Sequence, residues 1–134
     1  MTERVLVIPC SGIGKPFGSI GRDATLRVVD ELRPGKSETD CLSLLVTGDE
    51  EAVRQVKDSL CIAVDGCPLE CARKNIEMAG GVVAAHVRVM DLLRENRGLK
   101  PREVTFLDGD GEKLSAILAD RIAAKVDELA EGQR

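Results

Sequence analysis

Short apolar runs that alternate with stretches of helical periodicity constrain this chain more than any other feature of its sequence. Arg4 to Pro9, centred on Val5-Leu6-Val7-Ile8, reads as a buried strand. Ile20, Ala24, Val28 and Leu32 then recur at helical spacing until Pro34-Gly35 ends the helix. A polar stretch runs to Asp40, and Cys41 to Val46 fits either a strand or a loop. Asp49 to Ser59 places Ala52, Val53 and Val56 on one helical face, and Cys61 to Val64 is strand-like. Pro68 suits a first helical position, opening a helix with Leu69, Ala72, Ile76 and Ala79 on one face and Gly80-Gly81 as its stop. Val82 to Leu93 is mostly apolar, with Val87 and Val89 alternating against His86 and Arg88 as in a strand. Glu103 to Leu107 gives a last strand, after which Asp108-Gly-Asp-Gly111 turns into an amphipathic helix carrying Leu114, Ile117, Leu118, Ile122, Val126 and Leu129. This alternation predicts one three-layer α/β domain over residues 1–134, built around a largely parallel sheet.

Composition narrows the function. The chain carries 19 Lys and Arg against 23 Asp and Glu, a net charge of −4, and no basic run concentrates a field for phosphate backbones or anionic membranes. Its aromatic residues are Phe17 and Phe106 alone, which argues against base-stacking platforms too. No apolar run approaches the roughly 20 residues that span a bilayer. Met1-Thr2-Glu3-Arg4 leads into an apolar run too short for a signal peptide. The expectation is a cytoplasmic protein that binds neither nucleic acid nor membrane, its small-molecule or protein partner left open. In that compartment clustered cysteines bind metal or do redox chemistry, and this chain has five.

Two cysteines fall where a strand meets a helix. Cys10 follows the first strand, and Asp65-Gly66-Cys67 follows the strand containing Cys61; in open α/β sheets this carboxyl edge is where sites are built. Cys67-Pro-Leu-Glu-Cys71 would put one thiol at a helix N-cap and the other one turn on, on the same face. The positive end of such a helix favours thiolate, the form that binds metal or attacks electrophiles. Cys41 could bring a fourth sulfur. Cys10, Cys41, Cys67 and Cys71 would then complete a tetrahedral Zn²⁺ shell. Cys61, inside an apolar strand, reads as core filling. Asp65, Gly66 and Ser11 flank the sulfurs, Asp65 either as a turn residue bonding nearby amides or as a partner orienting a ligand. His86, the one histidine, is at most a marginal fifth ligand or base.

Other chemistries fit less well. A phosphatase loop needs Cys-x₅-Arg, but position 16 is Pro and Lys15 lacks the planar bidentate grip of arginine. Gly12, Gly14 and Gly18 miss the dinucleotide fingerprint because Phe17 stands at its third glycine. Asp108 to Gly111 lacks the remaining ligands of a calcium loop. Two alternatives to zinc stay open: a thiol-redox or sulfur-carrier protein with Cys67 reactive and Cys71 resolving, and an iron–sulfur cluster on the same four sulfurs.

Cys10-Ser-Gly, Gly21-Arg-Asp-Ala24, Cys41-Leu and above all Asp65-Gly-Cys-Pro-Leu-Glu-Cys-Ala-Arg-Lys74 with Ala79-Gly80 resemble the DGC-domain family over roughly residues 5 to 100. The resemblance implies zinc binding through four cysteines, corresponding here to Cys10, Cys41, Cys67 and Cys71, with Cys61 additional. It implies no particular reaction, and whether the protein is an enzyme stays undecided.

Overall fold

The computed structural model describes residues 4–10, 16–66, 68–103 and 107–132. Four strands, β1 (Val5–Pro9), β2 (Ser37–Thr39), β3 (Leu60–Asp65) and β4 (Val82–Arg88), form one parallel sheet in the order β2-β1-β3-β4. Helices α1 (Pro16–Arg27), α2 (Leu42–Thr47), α3 (Glu50–Asp58), α4 (Cys71–Met78), α5 (Val89–Glu95) and α6 (Gly109–Gly132) cover its two faces. The α/β class, the three layers and the parallel sheet expected from the alternation are all present.

The layers follow from period-two alternation. On β1, Val5 and Val7 enter one apolar cluster while Leu6 and Ile8 enter the other; on β3, Ile62 and Val64 oppose Cys61 and Ala63. The first cluster takes Ile20, Ala24 and Val28 from α1 and the turn after it, Leu92 from α5, and Leu114, Leu118, Ile122 and Val126 from α6. The second takes Leu42 and Leu45 from α2, Ala52 and Val56 from α3, and Ala72 and Ile76 from α4. Because the chain moves from β1 outward to β2 and then back across to β3, the strand order reverses between β1 and β3. The carboxyl ends of these two strands border the crevice where open α/β sheets bind ligands.

Several local expectations change. The polar stretch before Asp40 contains β2, whose three residues pair with β1 through their backbone and are too few to show a hydrophobic period. Cys41 to Val46 is neither strand nor loop: α2 begins at Leu42, turns Leu42 and Leu45 inward, and ends at Gly48 with φ 78°. The run after Val82 is a strand only to Arg88, and α5 starts at Val89. Glu103 and Leu107 belong to neither strand nor helix, and the residues between them lie outside those described.

The start of α4 matters most. The helix begins at Cys71, not at Pro68, and Leu69 is 66% exposed, not part of the buried face. Glu70 takes the left-handed conformation, φ 56° and ψ 47°, so the backbone cannot run helically from Pro68 into Cys71. At the other end, Gly80 with φ 87° accepts the left-handed turn that closes the helix.

Candidate functional site

Cys10 is 2% exposed at the end of β1, on the same face as Leu6 and Ile8. Its backbone N–H extends the ladder to Val64 O at 2.8 Å, and its Sγ accepts the N–H of Gly66 at 3.0 Å. That bond ties the end of β1 to the turn after β3. Gly66 is required there, because a Cβ would stand 2.8 Å from the backbone carbonyl of Phe17 at the start of α1.

Asp65 is the last residue of β3, and its side chain is wholly buried. It accepts hydrogen bonds from Ala72 N at 2.8 Å and Arg73 N at 3.2 Å, satisfying two of the free amides at the start of α4. The two readings of this residue meet: it bonds nearby amides, but those of a helix seven residues on. It thereby sets where α4 begins, and so where Cys71 sits. Cys71, half-buried, packs against the same apolar cluster as Cys10, Leu42 and Leu45.

Cys41 stands immediately before α2, exposed, with its Sγ 2.7 Å from Ser43 Oγ. The Ser43 hydroxyl, supported by backbone amides of Ser43 and Leu44, holds this thiol below the ordinary cysteine range. Cys61 is the opposite case. It is fully buried, faces the carbonyls of Val56 and Ser59, and burial pushes its pKa up to about 11. The core-filling reading of Cys61 fits this environment.

The structure therefore brings Cys10 and Cys71 to one cluster, leaves Cys41 exposed at its margin, and does not describe Cys67 or Ser11. The helical reason for aligning Cys67 with Cys71 does not hold, since α4 starts only at Cys71. Among the described residues, no three His, Cys, Asp or Glu side chains are grouped to hold a metal ion. The donor chemistry nonetheless suits a soft cation: no disulfide joins the described cysteines, and the buried Cys10 Sγ already serves as an acceptor, toward the Gly66 N–H.

His86 lies on β4, the edge strand of the sheet, with its side chain part-buried at 20% exposure, Nε2 2.7 Å from Asp65 Oδ2 and Nδ1 3.4 Å from Glu70 Oε1. Glu70 also accepts Arg73 Nε at 2.9 Å, and that hydrogen bond chiefly holds its carboxyl below the usual range.

These features define a parallel α/β protein with a thiol-bearing site at its topological switch point. The family model of the DGC domain matches residues 6–114, and the chain belongs to that family. No curated protein and no solved structure matches it.

Proposed function

We propose that this DGC-domain protein binds one Zn²⁺ through Cys10, Cys41, Cys67 and Cys71 at the carboxyl edge of β1 and β3. The observation that carries this reading is the bond from Gly66 N–H to Cys10 Sγ at 3.0 Å, which draws the turn leading to Cys67 onto a second, buried cysteine. Bound there, zinc would draw the loops of β1, α2 and α4 together, adding its binding energy to folding. Asp65 and Gly66 would position the sulfurs. The net charge of −4, and the want among the described residues of a helix long and apolar enough to cross a membrane, favour neither nucleic acid nor a bilayer as partner. A reducing, cytoplasmic setting keeps the thiols available.

Elemental analysis with an absorbance spectrum on anaerobically prepared protein tests the reading. One zinc per chain and a colourless solution are expected, both lost in the Cys67→Ser/Cys71→Ser double variant. A brown solution with iron would replace zinc by an iron–sulfur cluster on the same sulfurs. Metal-free protein in which Cys67 is alkylated rapidly would replace it by the thiol-redox or sulfur-carrier reading.

A further inference from the structure

Beyond the cysteines, a polar chain of three side chains runs from β4 to the start of α4. Its origin is a register shift. Cys61 pairs with Val83 but Ile62 pairs with Ala85, so β4 holds one extra residue, Ala84, at that step. Alternation inverts across it. Val83 packs on the cysteine face, yet Ala85 and Val87 pack on the opposite face, and His86, paired with Ala63, is turned toward the cysteines. Had the register continued unbroken from the Cys61–Val83 pair, His86 would pair with Val64 and point into the apolar cluster of α1 and α6. A bulge beside a site commonly re-aims one side chain in this way.

What His86 meets is specific. The Asp65 carboxylate is an acceptor only, so the ring donates through Nε2–H at 2.7 Å. The same carboxylate holds the amides of Ala72 and Arg73, which start α4. The other ring nitrogen faces Glu70, whose left-handed backbone forms the corner between Cys67 and Cys71.

We propose that His86 is a positioning residue of the cysteine site, aimed by the bulge at Ala84 to clamp Asp65 and, through it, the helix start that carries Cys71. It acts by fixing the rotamer of a buried carboxylate whose loosening would let the first turn of α4 fray, a role analogous to that of groups orienting metal ligands. In its metal readout this inference rests on the zinc reading above. The clamp itself does not.

The test compares His86→Leu, which fills the space without a donor, with His86→Gln, whose amide N–H can reach Asp65. Two quantities are measured: hydrogen exchange of the Ala72 and Arg73 amides in metal-free protein, relative to Ile76, and zinc affinity by competition with a chromophoric chelator. In His86→Leu those two amides should exchange about tenfold faster. Zinc should bind roughly 10- to 100-fold more weakly at unchanged stoichiometry. His86→Gln should stay near the parent in both. Unchanged exchange in His86→Leu overturns the clamp, as does a glutamine variant no better than leucine. Faster exchange with unaltered zinc affinity overturns its role toward the metal. If the parent protein takes up no zinc, the four-cysteine reading fails, while the exchange rates still decide the clamp. Should His86→Leu not fold, His86→Asn, polar but shorter in reach, reads the same contact by the same two measurements.

Discussion

The two faces of the sheet are built for different ends. On the α1, α5 and α6 face, β1 and β3 give Val5, Val7, Ile62 and Val64 to the apolar cluster, and the 24-residue α6 lays Leu114, Leu118, Ile122 and Val126 over them at four-residue spacing. On the other face the same strands present Leu6, Ile8, Cys10, Cys61, Ala63 and Asp65, and α2, α3 and α4 have 6, 9 and 8 residues. Fully burying one Leu or Ile contributes about 1.5–3 kcal/mol, so the first face supplies most of the apolar stabilisation. The second gives up part of that for small side chains and sulfur. Toward its carboxyl end, hydrocarbon is replaced by a thiol that accepts a backbone N–H and by a carboxylate hydrogen-bonded to an imidazole. Rigidity on one face allows polar, separable loops on the other.

That contrast can be broken first on the apolar face. Leu118→Ala should destabilise the protein by about 2–5 kcal/mol, measured by denaturant unfolding, because a fully buried side chain leaves a cavity. Zinc bound per folded chain should not change. Loss of zinc from folded Leu118→Ala protein would show that the faces are not independent.

Next is Gly66→Ala, expected to cost about 1–3 kcal/mol through overpacking against the Phe17 backbone. Unlike the α6 variant it should also weaken metal binding, since the Gly66 N–H can no longer hold Cys10 Sγ. Equal zinc affinity in the two proteins would count against the contact between the turn and Cys10.

Cys61 gives the sharpest division within the second face. Cys61→Ala should cost about 1 kcal/mol, a small buried group lost, with metal content unaltered. With its pKa pushed up to about 11, only about one Cys61 in ten thousand is thiolate at pH 7. In folded protein it should be alkylated last, its rate rising about tenfold per pH unit up to that value. Cys41, held low by Ser43, should be modified first in metal-free protein. The raised value also has a stability consequence. The folded state keeps a proton that the unfolded chain releases near its ordinary value of 9.0, so this contribution is complete below that pH and is lost as pH rises to about 11. A Cys61 that reacts as fast as Cys41 would remove the distinction between packed and chemical sulfur.

Much of the fold was legible because burial and periodicity coincide. The runs around Val5–Ile8 and Cys61–Val64, and the four-residue spacing from Leu114 to Val126, each have one stable way to hide their apolar atoms. Ser37–Thr39 was not legible, since a short edge strand is specified by its partner's backbone. Cys41–Val46 was not either: a six-residue, largely apolar run suits a strand as well as a short helix, and packing against the sheet decides. At the site, Cys10, Asp65 and Gly66 stood out from their place after strands. The delayed start of α4 did not, because Pro68 is a good first helical residue and nothing local announces that Glu70 turns left-handed.

By itself, then, the amino-acid sequence determined the α/β layering, the family and the packing of Cys61 in the core, all consequences of local period and residue chemistry. Only the tertiary structure decided the strand order that places the switch point between β1 and β3, the capture of α4 by Asp65, and the side of the sheet that His86 faces. The last depends on one inserted residue in Val82-Val83-Ala84-Ala85, a run whose side chains are too alike to mark where alternation inverts. Pairing with β3 supplies that information, because register is a relation between strands that neither strand encodes alone.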